Sequence, residues 1–308
     1  MEIKIAVIIT CYNRKNKTIA CLSHLFEACK SYNNFHTESP ITLSIYLTDD
    51  ACTDGTPDAV KTCCKSYDLH IIQGDGLCYW AGGMRLAWKE AHKERGKWDF
   101  YLLLNDDTMV MDNVFEELLN THQYAIKTFG IFGIYSGITC DINDKQKITY
   151  GGELFANGKV TKSKKASSAK FPQKVNQTNA NILLVPKEIV NKFGIFNDGF
   201  IHGGADYDYS LQISRKGYPT LVTANICGEC EYDHFSGNEE IDKFMAMSLA
   251  ERLKYFKNPI HSDKDYLHYI RRNFPHKYIF CWILRKIRIY RPSLYQFICK
   301  KRGLNEYR

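Results

Sequence analysis

A chain of 308 residues, 44% hydrophobic and 24% charged, is long enough for a large α/β domain with an appendage, and its composition excludes disordered and fibrous classes. The formal charge of +7 is unevenly spread. Glu251 to Arg308 holds fifteen Lys or Arg against four Asp or Glu, net +11, which leaves −4 on the preceding 250 residues; this describes an acidic body and a basic tail, with no nucleic-acid partner expected.

In chain order, Ile3 to Thr10 is a short run rich in Ile and Val that ends in a polar loop, and it predicts a buried strand. Ile19, Leu22, Phe26 and Cys29 recur at helical spacing and predict a helix over Lys17–Lys30. A second strand (Thr42–Leu47), a helix (Pro57–Ser66) and a third strand (Leu69–Gln73) follow. A Gly-rich turn leads into a helix over about Gly83–Glu94, then a fourth strand over Phe100–Leu104 and a helix near Asn113–Thr128. This alternation implies an α/β, doubly wound, mostly parallel sheet, with its ligand crevice outside the C-terminal ends of the strands. Gly130 to Tyr150 reads as short strands and turns, and the Lys- and Ser-rich stretch Lys159–Lys174 as an exposed mobile loop. Ile182–Val185 is a further strand, Pro186–Phe193 a short helix, and Ala205–Lys216 a helix that Gly217 ends. After Ser236 the chain is helical and basic.

Twelve cysteines are scattered through these elements rather than set in a disulfide framework. Met1-Glu2-Ile3-Lys4 runs directly into a strand and lacks a signal-peptide cleavage site, so free buried thiols and a cytoplasmic protein are expected. Cys227 and Cys230 form a C-x-x-C with no second ligand pair and no thioredoxin-like context, so they read as structural.

Four loops bring polar residues to the crevice. They are Thr10-Cys11-Tyr12-Asn13-Arg14, Thr48-Asp49-Asp50-Ala51-Cys52-Thr53-Asp54-Gly55-Thr56, Asn105-Asp106-Asp107-Thr108, and His202-Gly203-Gly204-Ala205-Asp206-Tyr207-Asp208. Each alone is an ordinary turn or helix cap. Together, at one end of one sheet, they mark a site.

The order V-I-I-T-C-Y-N-R, L-T-D-D-A-C-T-D-G-T, L-L-L-N-D-D-T and G-A-D-Y-D-Y-S-L resembles the family 2 glycosyltransferases of GT-A fold, over about Ile3 to Asn238. The segment Asn179–Asn197 is similar to the stretch that precedes the base in bacterial members. The resemblance implies a GT-A domain over residues 1–238, with a nucleotide-binding half (1–130) and an acceptor half (131–238), followed by a helical basic extension (239–308).

Transfer from a sugar nucleotide leaves a diphosphate with growing negative charge, which an oxygen-bound Mg²⁺ or Mn²⁺ stabilises. Asn105-Asp106-Asp107 matches the family's D-x-D element with Asn in first place, which implies Asp107 as metal ligand and Asp106 facing the donor ribose or sugar. His234 stands where relatives often supply an imidazole to the same metal; the alternative is a structural hydrogen bond after a strand. Asp49 matches the acidic residue that accepts the N3–H of uracil or thymine, so UDP and dTDP donors both fit. Thr10, Tyr12 and Arg14 would line the base and phosphate pocket. Gly82 and Gly83 ahead of a helix would let backbone amides approach phosphate, with Arg85 on the diphosphate. Asp206 matches the catalytic base, with Ala205 where many members have Glu; His202 and Asp208 are the next candidates.

The expected function is inverting, metal-dependent transfer of a sugar from a UDP- or dTDP-sugar to a glycan or lipid-linked acceptor. A catalytically silent sugar-nucleotide-binding protein is the alternative, supported by Asn105 and Ala205 alone. A nucleotidyltransferase would show a Gly-rich loop after the first strand, and Cys11–Arg14 contains no Gly. In the tail, Tyr278, Ile279, Phe280, Trp282, Ile283, Leu284, Ile287, Ile289 and Tyr290 alternate with Lys277, Arg285, Lys286, Arg288 and Arg291, and Pro292 interrupts any single helix. Its longest uncharged apolar run, Tyr278–Leu284, falls far short of the roughly 20 residues that span a bilayer. Two readings stand: a peripheral contact with an anionic membrane surface, or aromatics packed inward under solvated cations.

Overall fold

The computed structural model describes residues 1–156, 159–162, 170–231 and 243–302. The chain divides into two compact units: Met1–Asp198 with Ala205–Tyr232, and Gly199–Gly204 with Asp233–Arg308.

The first unit begins with β1 (Ile3–Cys11), α1 (Lys15–Phe35), β2 (Ile41–Asp49), α2 (Thr56–Cys63), β3 (Asp68–Gln73), α3 (Tyr79–Lys93) and β4 (Phe100–Leu104). It continues through β5 (Met109–Val110), α4 (Val114–Phe129), β6 (Ile134–Cys140), β7 (Ile148–Tyr150), β8 (Gly152–Ala156), β9 (Lys159–Lys162), β10 (Gln173–Lys174) and β11 (Gln177–Thr178). β12 (Ile182–Pro186), α5 (Lys187–Phe193), α6 (Ala205–Arg215) and β13 (Thr220–Glu229) complete it. Ile5 through Ile9 are fully buried, as a strand covered by helices on both faces must be. α1 turns Thr18, Cys21, Leu22, Leu25, Ala28, Cys29 and Tyr32 inward at three- and four-residue spacing, so the predicted period is the one that packs.

Among the described residues the main sheet runs β10-β13-β6-β12-β4-β1-β2-β3. β3, β2, β1 and β4 are parallel, and so are β6 and β13. Between the two groups β12 is antiparallel to both β4 and β6. This is the expected mostly parallel sheet, and the reversed strand matters for function. Its reversal brings the turn Asn179–Asn181 to the sheet end where β1, β2 and β4 finish. A small second sheet, β11-β8-β9, takes up Lys159–Lys162, and β10 takes up Gln173–Lys174. The ends of the expected loop Lys159–Lys174 are therefore strands; residues 163–169 lie outside the described residues.

α3 corrects another expectation. It starts at Tyr79, so Gly82 and Gly83 lie inside the helix and not ahead of it. The cause is a cap from far away in sequence. The Asp50 carboxylate accepts the amides of Gly76 (2.8 Å), Cys78 (3.2 Å) and Tyr79 (3.2 Å), satisfying donors that a helix start leaves open and complementing its dipole. Gly83 serves packing. A Cβ there would stand 2.0 Å from Thr10 Oγ1, and its carbonyl accepts the Thr48 hydroxyl at 2.7 Å.

The second unit holds α7 (Leu249–Tyr255), α8 (Asp263–Asn273), α9 (Tyr278–Tyr290) and α10 (Pro292–Arg302). Pro292 marks the break between the last two, as its missing N–H requires. Asp265, buried on α8, accepts the amides of Ile201 (3.0 Å), His202 (2.6 Å) and Gly203 (2.9 Å). Arg285 and Arg288 do not behave as solvated cations. Both are buried, at 3.5 and 2.6 Å from Asp263, with Arg285 over the Tyr266 ring and Arg288 over the Phe256 ring. Among the described residues no helix is long and apolar enough to cross a membrane.

Gly83→Ala should lower stability by about 1–3 kcal/mol, the usual cost of forcing a methyl into a filled space, and should lower the thermal midpoint accordingly. An unchanged midpoint would show that α3 can move off β1 without loss.

Candidate active site

Three loops meet at the ends of β1, β2 and β4; hydrogen bonds tie the first two together, and the Arg14 side chain ties the first to the third. The Asn13 side chain accepts the Thr53 amide at 2.7 Å, Asp54 accepts the Lys15 amide at 2.9 Å, and the Asp50 amide reaches the Cys11 carbonyl at 3.1 Å. Asn13 and Ala51 have φ of +51° and +58°, and Tyr79 has +51°. These left-handed residues cost conformational energy that the surrounding bonds offset.

Asp106 and Asp107 follow β4. Arg14, the residue before α1, lays its guanidinium across both: Nη1 is 3.1 Å from Asp106, and Nη2 contacts Asp107. The Thr18 hydroxyl donates to Asp106 at 3.2 Å. The side chain of Asp106 is 6% exposed and that of Asp107 12%. Burial pushes the Asp106 carboxyl up to about 6 even though Arg14 and the Thr18 bond pull it down, and the Asp107 charge adds to the rise. Like charges side by side require a cation between them, and Arg14 is that cation here. The phosphate contact expected of Arg14 is therefore replaced in this state by a carboxylate contact.

Asn105, first in the three-residue element, has its side-chain oxygen bound by the Trp80 indole N–H at 2.8 Å. Its amide donates to the Asn181 carbonyl at 3.1 Å. The neighbouring Ala180 amide donates to Asp206 at 3.0 Å, and the Tyr207 amide donates to the other carboxylate oxygen at 2.9 Å. The Asn179–Asn181 turn thus bridges β4 and the start of α6. Burial pushes the Asp206 carboxyl up to about 6, opposed by these two amides. Above about pH 6 it is a carboxylate in a dry setting. Asp208 is also buried. His202 belongs to the second unit, where burial lowers its basicity.

Asp49 is buried and accepts the Cys52 amide at 2.8 Å. Tyr12 is 55% exposed, which leaves its ring available for stacking. Arg85 donates to the Asn197 carbonyl at 3.1 Å. A depression of 470 Å³ lined by Asn13, Arg14, Lys15, Lys17 and Asp54 adjoins the carboxylates, a cation-rich floor that suits a diphosphate. A larger depression, 560 Å³, is lined by His92, Arg95, Gly96, Lys187 and Asn191. It lies toward the opposite end of β4, where the Lys187 amide meets the Asp99 carbonyl. His234 lies outside the described residues. Sequence reasoning gave no role at the site to Cys230, whose thiol lies 3.9 Å from Asp107, nor to the particular contacts of Asp50, Thr18, Trp80 and the Asn179–Asn181 turn.

The family model for Glycosyl transferase family 2 matches residues 6–178. The chain is a family 2 glycosyltransferase. Its fold is similar to that of residues 1–349 of TarS from S. aureus, with a TM-score of 0.52 at 12% identity, covering 89% of this chain and 72% of that one. The same TarS fragment in complex with UDP-GlcNAc gives 0.50 at 12% identity, with 89% and 73% covered. None of the curated proteins matches the sequence. The family membership makes this enzyme a glycosyltransferase and its mostly parallel sheet a GT-A fold.

Arg14→Ala removes the cation shared by the two carboxylates. The Asp106 carboxyl should then titrate above its wild-type value of about 6, followed by carboxyl ¹³C NMR, and free Mn²⁺ should bind more tightly, measured by electron paramagnetic resonance. A wild-type Asp106 titration in the variant would remove Arg14 from this role.

Proposed function

We propose that the enzyme transfers a sugar from a UDP- or dTDP-sugar to a hydroxyl of a glycan or lipid-linked acceptor, with inversion, using Mg²⁺ or Mn²⁺. The observation that carries the reading is the Asp106–Asp107 pair at the end of β4, held by Arg14 and joined through Asn179–Asn181 to Asp206. The acidic pair fits a hard divalent cation, which takes one or two carboxylates and fills its shell with phosphate and water. Asp107, the more exposed of the two, would hold it; His234 is proposed as a further ligand. Bound there, the ion would supply charge neutralisation for the departing diphosphate.

The chain's own residues have separable tasks. Asp49 accepts the N3–H of the base, Tyr12 stacks on it, and Thr10 packs beneath the pocket. Arg14, released from the carboxylates, turns its fork to phosphate, a geometry that guanidinium matches well. Gly82, Gly83 and Arg85 hold α3 and the Asn197 loop as the wall on the diphosphate side. Asp106 faces the donor ribose or sugar. Asp206 takes the acceptor hydroxyl proton as the oxygen attacks, and its two amide bonds fix the carboxylate in place. A base near 6 is well matched to neutral pH. Intact Asp107 and Asp206 favour this reading over a silent sugar-nucleotide-binding protein.

The proposed location is cytoplasmic, with the second unit resting on the inner membrane face. α9 is inverted relative to a soluble amphipathic helix. Its arginines 285 and 288 face inward, while Ile279 (71% exposed), Trp282, Ile283 and Tyr290 face solvent, continued on α10 by Leu294 and Phe297 (62% exposed). Exposed Arg271, Arg272, Lys277, Lys286 and Arg291 flank them. Apolar side chains with a cationic rim fit an anionic interface.

Two measurements test these readings. Asp206→Asn should keep UDP affinity while turnover falls by about 10²-fold or more. In the wild type, activity should rise with pH through about 6, as the base loses its proton. The same raised value means that the carboxyl's contribution to stability is full below its unfolded value and is lost as pH rises through about 6. Wild-type turnover in the variant would move the base elsewhere. For the surface, Trp282→Glu with Ile283→Glu should abolish co-sedimentation with anionic vesicles at low salt. If the unaltered chain stays in solution with such vesicles, or is instead dimeric through this face, the membrane reading fails.

A further inference from the structure

Two cysteines beside Asp49 have no task in the mechanism above. Cys11 ends β1, Cys52 lies in the loop after β2, and their sulfurs are 3.8 Å apart. An Asp49 carboxylate oxygen lies within 4.8 Å of both. The Asn13 amide donates to the Cys52 sulfur at 3.2 Å, and the Cys52 amide donates to Asp49 at 2.8 Å. The left-handed residues Asn13 and Ala51 flank the cluster on its two loops. We infer that Cys11, Cys52 and Asp49 form a binding site for a thiophilic d¹⁰ cation of the Zn²⁺ class, and that its occupation excludes the donor base.

The geometry favours a cation over the other fate of two neighbouring thiols, a disulfide. Tetrahedral bonds of about 2.3 Å to each sulfur set the two sulfurs about 3.8 Å apart, whereas a disulfide needs about 2.05 Å. At 3.8 Å the sulfurs are in van der Waals contact; they could share one ion without moving, whereas the covalent bond would draw them together by almost half. Charge points the same way. Burial raises the Cys11 thiol well above its ordinary value, and Asp106 and Asp49 add to the rise. A protonated thiol is a poor nucleophile for disulfide exchange, whereas a doubly charged cation in a negative surround reverses the sign of the field and displaces both protons. Two thiolates and one carboxylate then hold the ion, with a fourth position left for water. The amide on the Cys52 sulfur is a second partner that would fix its direction. The other candidate group among the described residues, Asp50, Asp75 and Cys78, offers one thiol and a carboxylate already holding three amides.

The consequence for the donor rests on the proposed role of Asp49; the binding itself does not. An Asp49 carboxylate drawn onto the ion, with the Cys52 amide also on it, is turned from the base and is a weaker acceptor for its N–H. Thiophilic metal would then oppose the hard cation at Asp107: one ion assists the donor and the other displaces it.

The test uses the full chain, reduced, stripped with a chelator and titrated with Co²⁺ alone. One equivalent should produce a thiolate-to-cobalt charge-transfer band and intense tetrahedral visible bands, both abolished by Zn²⁺. Cobalt at Asp107 would take oxygen ligands and the His234 imidazole, which give no thiolate band, and Cys230→Ser, which removes the thiol beside Asp107, should keep the band. Cys52→Ser should lose at least half of the charge-transfer intensity and Cys52→Ala should do the same, while Cys78→Ser keeps it. A wild type with no thiolate band, an unchanged band in both Cys52 variants, or a Cys11–Cys52 disulfide in freshly purified protein overturns the proposal. With excess Mg²⁺ present, one equivalent of Zn²⁺ should weaken UDP binding at least tenfold in the wild type and not in Cys52→Ala. Unchanged UDP affinity in zinc-loaded wild type overturns the shared use of Asp49. Failure of zinc-free protein to bind UDP counts against the donor reading and leaves the cobalt result standing.

Discussion

Two carboxylates next to each other at the mouth of a buried strand set the terms for the rest of the first unit. Asp106 and Asp107 repel, and burial removes the water that would screen them. The fold meets this with Arg14, which a left-handed residue before it and the start of α1 after it hold over the pair. A single guanidinium, singly charged and on a flexible stem, is a replaceable counter-ion. Under the proposed function, a divalent cation arriving with a diphosphate would carry both the charge to displace it and a new partner for it to bind. The resting arrangement is thus compatible with a dry, preformed site that does not depend on metal for its own integrity.

The sheet contributes through β12, which runs reversed between β4 and β6. With β12 antiparallel to β4, the turn before it brings the amides of Ala180 and Asn181 to the sheet end where the loops after β1, β2 and β4 meet. Asp206 is fixed by one of those amides and Asn105 by the carbonyl next to it. The end of β4 and the start of α6 are therefore spaced by one short turn of backbone rather than by side chains. Such spacing varies little with rotamer changes, and it would serve the proposed displacement, which needs fixed distances.

Much of this was legible from sequence where the signal is local. The four alternating strands, the reach of α4 and the positions of the three loops after β1, β2 and β4 follow from apolar period and from turn residues. What escaped depends on partners far along the chain. α3 starts at Tyr79 because Asp50, almost thirty residues earlier, caps it; nothing in Gly82-Gly83 discloses that. Arg285 and Arg288 read as tail cations until Asp263 is seen beside them. The direction of β12 is also absent from its own residues, since Ile182–Pro186 would be equally apolar in a parallel strand. Asp50 itself stood in plain view next to Asp49, and only geometry separates the one that caps α3 from the one proposed to meet the base.

Asn13, Ala51 and Tyr79 carry a consequence for how such a chain can vary. All three sit in the region of backbone space where side chains beyond Gly are strained, and β-branched ones are strained most. Drift at Ala51 toward Gly or Asn would relax the loop, and drift toward Val or Ile would be barred whatever its chemistry. The narrow alphabet at these positions would look, in a set of aligned relatives, like a signature of substrate binding. Its origin would be the handedness of the peptide chain.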